Sequence, residues 1–205
     1  IIANHGRKTH GKVFTGMFCV SSIDMLVKYY EQFRKRKDEG KHNLKIATIF
    51  SYNANEEDKD ADGFFDEDDS DNNNKSTHSR DKLEEFIGHY NKEHGTKFTT
   101  KDSSSYYNYY NDIGKRVKLR EVDILLVVNM FLTGFDAPSV EVLFIARPTK
   151  SPVLLLQMIG RGMRGENVGG TKTFDLYYVK DGIFDKFQNL DELFEMFAVY
   201  FEQNE

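Results

Sequence analysis

This 205-residue chain has one cysteine, Cys19, and so cannot form an internal disulfide, which fits a reducing interior. Cys19 sits in an apolar run, where a buried structural thiol is expected rather than a nucleophile. No stretch approaches the roughly 20 apolar residues of a spanning helix, and no secretory leader is visible, so no membrane partner is expected. The six histidines show no metal-ligand spacing; four sit in the terminal segment or the polar loops, and exposed histidine is the expectation. The first residue is Ile1 rather than methionine, which reads as a piece of something longer.

What is present suits a folded domain. Apolar residues make up 39% of the chain and aromatics 14%, enough for one α/β domain with its own core. The net charge of -5 hides an uneven distribution. Residues 56–71 hold ten acids and one lysine, so the rest of the chain carries a balance of +4 and is compatible with a phosphate-bearing partner.

Apolar periodicity places the elements. Residues 12–20 read as a strand, and Ser21-Ser22-Ile23-Asp24 as a capping box. Ile23, Leu26, Val27, Tyr30 and Phe33 then mark one face of a helix. Leu44–Phe50 is a second strand. Residues 53–80 read as a polar, acidic, mobile insertion, with its core at about 55–78. Leu83, Phe86, Ile87 and Tyr90 give a second helix; Tyr106, Tyr109, Tyr110 and Ile113 give a third, ending in the basic run 115–120. Residues 122–128, 140–146 and 174–179 are three further strands, and Leu190, Leu193, Phe194 and Phe197 mark a closing helix. Strands alternating with helices imply a parallel sheet with helices on both faces, in a single domain over residues 1–205.

Chemistry concentrates after residue 128. The apolar strand 122–128 leads into Asn129-Met130-Phe131-Leu132-Thr133-Gly134-Phe135-Asp136-Ala137-Pro138. That loop combines a hydroxyl, a carboxylate and a glycine that lets backbone approach a phosphate or sugar. Ligands of open α/β sheets bind beyond the carboxyl ends of strands, where this loop belongs. Further on, Gln157, Gly160, Arg161 and Arg164 fall at i, i+3, i+4 and i+7, one face if the segment is helical. Two guanidiniums one turn apart suit a triphosphate, because the planar fork matches phosphate oxygens. The same pattern also describes a solvated amphipathic surface, and spacing alone does not separate the two.

Two patterns mimic other sites. Gly6-Arg7-Lys8-Thr9-His10-Gly11-Lys12 matches a phosphate loop, but no strand precedes it, Val13 replaces the hydroxyl, and a strand pattern follows. Asp58-Lys59-Asp60-Ala61-Asp62-Gly63 opens like a calcium loop, yet Asp69 stands where a bidentate glutamate is wanted and no helix pattern precedes it. The tyrosines at 106–110 fit core packing better than base stacking. The basic run 115–120 fits either DNA phosphates or a solvated helix end.

Thr-Gly-Phe-Asp-Ala-Pro followed by Gln-x-x-Gly-Arg-x-x-Arg resembles motifs V and VI of superfamily 2 helicases and translocases. Phe18–Asp24, Lys45–Glu56, Tyr109–Ile113 and Val127–Pro138 narrow the likeness. From about residue 12 to about 165, the chain resembles the second RecA-like motor domain of the restriction subunit of type I restriction-modification enzymes. Gly160-Arg161-Gly162-Met163-Arg164 departs from the R-T-N-R ending more usual there and is nearer the general helicase form. The resemblance implies a domain of a larger subunit that uses ATP and Mg, both held mainly by a preceding RecA-like domain. It implies Arg161 and Arg164 as catalytic arginine fingers, Gly134, Asp136, Gln157 and Gly160 toward ATP, and Ser21, Ser22 and Thr133 toward DNA. It further implies double-stranded DNA, a nuclease domain of the same subunit, methylation and specificity subunits as partners, and a cytoplasmic setting in a bacterium or archaeon. The alternatives are another superfamily 2 helicase or repair translocase and, in a different class, a non-catalytic acidic calcium-binding or scaffold module.

Overall fold

A computed structural model describes residues 1–50, 72–128, 139–146 and 175–178. A short helix α1 (His5–Lys8) precedes strand β1 (Thr15–Val20), helix α2 (Ile23–Asp38) and strand β2 (Ile46–Ile49). Then come helices α3 (Asn72–His94) and α4 (Ser103–Lys118) and strands β3 (Ile124–Val127), β4 (Val140–Ala146) and β5 (Asp175–Tyr178). The strands form one sheet in the order β2-β3-β1-β4-β5, with every neighbouring pair parallel.

The first strand in sequence is therefore the central one. All six residues of β1 are buried, as are all four of β3, because strands covered on both faces read as unbroken apolar runs. The expected α/β architecture with a parallel sheet is met, as is the buried state of Cys19.

Helix α2 buries Leu26, Tyr30 and Phe33, three of the five residues expected on its inner face. Its partner α3 buries Leu83, Phe86, Ile87 and Tyr90, and Tyr30 packs on Phe86 with ring centroids 4.0 Å apart. Helix α3 begins at Asn72, so the helical segment reaches further upstream than the polar composition suggests. Arg80 helps to fix this stretch by donating to the Thr100 carbonyl at 2.9 Å. The acidic run 56–71 and the calcium-like pattern lie outside the described residues, as does the closing-helix pattern.

The tyrosines of α4 serve the fold. Tyr109 is fully buried, its ring meets Tyr90 edge-on, and its hydroxyl donates to the Thr48 carbonyl in β2 at 2.7 Å. Tyr106 donates to the Phe50 carbonyl at 3.0 Å, just past the same strand. Tyr107 alone of the cluster is exposed. These two bonds fix α4 against the outer strand.

A polar network ties α3 to α4. Asp112 accepts from Tyr90 Oη and from Arg116 Nε, both at 2.7 Å, and Arg116 also reaches Glu121. Partial burial pushes the Asp112 carboxyl up, but the Arg116 and Tyr90 hydrogen bonds outweigh it and leave the group below its ordinary pKa. Glu84 behaves alike: burial opposes ionisation, while three donors from Thr99 and Thr100 overcome it.

Two outcomes follow. Tyr109→Phe should lower unfolding stability by about 1 kcal/mol in a denaturant titration, since it deletes a buried bond while keeping the ring. A carboxyl depressed in the folded state stabilises above its ordinary pKa, and that contribution is lost as pH falls through the folded value. Stability should therefore decline below about pH 4, and Asp112→Asn with Glu84→Gln should flatten that decline in a pH series of melts.

Candidate nucleotide and DNA site

In an all-parallel sheet every strand ends on the same edge. Ser21 and Ser22 follow β1 and stand at the middle of that carboxyl edge, between the ends of β3 and β4. Cys19 lies beside both Val127 and Ile145, and Val20 beside Ala146. From β1 the chain winds toward β3 and β2, whereas from β4 it winds the other way, out to β5. The gap between β1 and β4 is thus where the winding direction changes, the usual ligand position of an open α/β sheet.

Ser22 is the N-cap of α2, in extended backbone with φ -153° and ψ 164°. Its Oγ accepts from the Met25 N–H at 3.2 Å, satisfying one of the donors left over at a helix start. Asp24 is the second residue of the helix, one short of the position that would close a reciprocal capping bond, and Met25 stands there instead. The expected full capping box is thus corrected to a single serine cap. Both serines are exposed at the start of α2, on the carboxyl edge.

Thr133, Gly134 and Asp136 belong to the connection after β3, and Gln157, Gly160, Arg161 and Arg164 to the connection between β4 and β5. All seven lie outside the described residues. Of the expected site residues, Ser21 and Ser22 are the pair whose geometry is described.

The phosphate-loop look-alike is resolved by its place. Residues 6–12 precede β1 and so sit at the amino edge, opposite the ligand edge. His10 and Lys12 adopt positive φ in the turn. Lys12 Nζ is held by Asp123 at 3.3 Å and by Asn43 at 3.0 Å. Its charge joins β1, β2 and β3 and does not face a nucleotide.

The histidines are expected to be exposed, but only His10 and His78 are; His42, His89 and His94 are half-buried, and His5 is buried outright. Its Nε2 lies 2.9 Å from the Asp123 carbonyl oxygen, and burial lowers its pKa from the ordinary value. No local signal marks it, because His5 stands in a short polar segment and the Asp123 carbonyl is distant in sequence. Among the described residues no group of three His, Cys, Asp or Glu could hold a metal, and no helix is long and apolar enough to cross a membrane.

Comparison with known proteins supplies the remaining observation. Residues 12–174 match the family described as type I restriction enzyme subunit R domain 3. An endonuclease subunit of a type I restriction enzyme from Staphylococcus aureus (strain COL) is 38% identical over 146 residues, 71% of this chain and 14% of that subunit. A Staphylococcus saprophyticus counterpart is 38% identical over 151 residues, 73% of this chain and 15% of its own length. A putative ATP-dependent helicase of Saccharomyces cerevisiae, IRC3, is 36% identical over 69 residues, 34% of this chain and 10% of that protein. The C-terminal domain of S. cerevisiae Dbp5, solved bound to Gle1 and IP6, superposes with a TM-score of 0.40 at 13% identity, covering 96% of this chain and 80% of that one.

Replacing Ser22 by alanine should cost about 1 kcal/mol of stability through the lost cap, and Ser22→Gly only a few tenths, as read from denaturant midpoints. Ser21→Ala, which removes no hydrogen bond of the cap, should leave the midpoint unchanged.

Proposed function

Because this chain belongs to the family of type I restriction enzyme subunit R domain 3, we propose that it is the second motor domain of an ATP-driven DNA translocase within a restriction subunit. The single observation that carries this reading is the pairing of the family match with the Gln157-to-Arg164 motif in the connection after β4. The chain spans about a seventh of the length of the relatives it matches, so the rest of the subunit would supply the phosphate loop, the magnesium carboxylates and the nuclease.

In this reading ATP lies between two motor domains. Arg161 and Arg164 reach the γ-phosphate as charge spreads over its oxygens in the transition state, where a fixed guanidinium acts without reorganising. Gln157 and Gly160, spaced with the arginines at i, i+3, i+4 and i+7, hold the nucleotide. Gly134 and Asp136 lie in the connection from β3, with Asp136 accepting from sugar hydroxyls. Thr133, Ser21 and Ser22 meet the DNA backbone. The exposed α2 cap supports the last assignment, since a helix start offers donors and a favourable dipole to phosphate. Magnesium would be held chiefly by the preceding domain and would neutralise the β- and γ-phosphates when bound. The methylation and specificity subunits would choose the DNA site.

Arg161→Ala or Arg164→Ala in the full-length subunit should lower DNA-stimulated ATP hydrolysis by about three or more orders of magnitude. A loss smaller than tenfold in steady-state assays would remove the finger assignment.

A further inference from the structure

The two edges of the sheet differ in charge. At the carboxyl edge, the helix starts carry Asp24 and the cap Asp102, with exposed Lys101 beside the latter. At the amino edge, α2 ends in Lys35, Arg36 and Lys37, and α4 in Lys115, Arg116 and Lys118. Cations at helix ends favour the dipole, which explains part of this bias. It does not explain Lys45, which lies in a loop, or the neighbouring Lys41.

The acids at that edge are already engaged. Glu93 pairs with Lys37, Glu39 with Lys41, Glu121 with Arg116, Asp123 with Lys12, and exposed Asp38 lies 3.9 Å from Arg34. Left over are Arg7, Lys35, Arg36, Lys45, Lys115 and Lys118, all exposed and without an acid partner among the described residues.

The segments that carry these cations are joined at the amino edge by side-chain bonds. Lys12 bridges Asn43 and Asp123, and the Lys45 N–H donates to the same Asp123 carboxylate at 2.7 Å. Glu121, which takes Arg116, lies two residues before Asp123. A groove of about 410 Å³ joins the N-terminal segment at Ile2 to Arg36 and Lys41. The chemistry is that of phosphodiester recognition without base readout. Neither residues 35–45 nor residues 115–123 contain a Phe, Tyr or Trp on which an unpaired base could stack.

We propose that the amino edge of this sheet is a second duplex-DNA surface, binding the phosphate backbone and separate from the carboxyl edge where Ser21 and Ser22 stand. The inference rests on the DNA-motor reading above. It adds a surface on the opposite side of the domain, at which the duplex is held independently of sequence and of the nucleotide state.

The test uses the full-length subunit and a short blunt duplex without any recognition sequence. Binding is measured over a salt series for Lys35→Gln/Arg36→Gln, for Lys115→Gln/Lys118→Gln, and for all four together. Each phosphate that a variant no longer neutralises should reduce the slope of log affinity against log salt by about 0.9. The fourfold variant should therefore show a slope smaller by at least about 2 units and an affinity weaker by roughly tenfold or more at low salt, each pair giving about half of the slope change. Hydrolysis of ATP without DNA should stay at the parent level. Exposed Lys28→Gln, on the body of α2, is the single-charge control and should shift the slope less per charge removed. An unchanged slope, or an equal shift per charge in the control, overturns the proposal. So does an unchanged slope together with failure to assemble onto the other subunits, which would assign the surface to an acidic protein. Failure of the motor reading shows separately, as ATP hydrolysis that survives Arg161→Ala.

Discussion

The Asp123 side chain and backbone hold the amino edge of this sheet together. The carboxylate accepts from Lys12 Nζ and from the Lys45 N–H. The Asp123 N–H donates to the Lys45 carbonyl, and the Asp123 carbonyl takes the Gly16 N–H, with His5 Nε2 at 2.9 Å from the same oxygen. One residue just before β3 thus ties the starts of β1, β2 and β3 to each other. Buried carboxylates are tolerated where charge-assisted donors surround them, and here the donors come from separate segments. With the amino edge fixed, the connections at the opposite edge are free to vary for chemistry, the usual division of labour in open α/β sheets.

Much of the fold was legible because it is written in period. The strand patterns at 140–146, 122–128 and 44–50 correspond to β4, β3 and β2, with ends differing by at most two residues. The inner faces of α2, α3 and α4 followed from spacings of three and four. Strand order was not legible, since nothing local tells β1 that its neighbours are β3 and β4. His5 and Asp123 were missed for the same reason. Each is a polar residue whose partners are far away in sequence, and polarity alone reads as surface.

The candidate site is a different case. Its motifs are short and local, so residues such as Arg161 and Asp136 stand out by type and spacing within the family match, while both lie outside the described residues. What spacing cannot convey is which edge of the sheet a motif occupies. Residues 6–12 satisfy a phosphate-loop pattern, yet Lys12 faces Asp123 at the amino edge. Ser22 shows the converse, an ordinary serine that topology puts at the centre of the ligand edge. The pattern supplies a residue's chemical capacity, and the sheet decides where that capacity is used.

The central place of β1 has a further consequence for how the chain comes to be made. Gly16 lies beside Ile124 and Val142, more than a hundred residues downstream. During synthesis, the middle strand emerges first of the five described strands and waits for β3 to pair one edge and, later still, for β4 to pair the other. Such distant closure slows assembly and leaves sticky strand edges exposed meanwhile. Helix α2, which follows at once, can shield only one face of that strand, so nascent chains of this domain are expected to lean on holdase chaperones until β4 is complete.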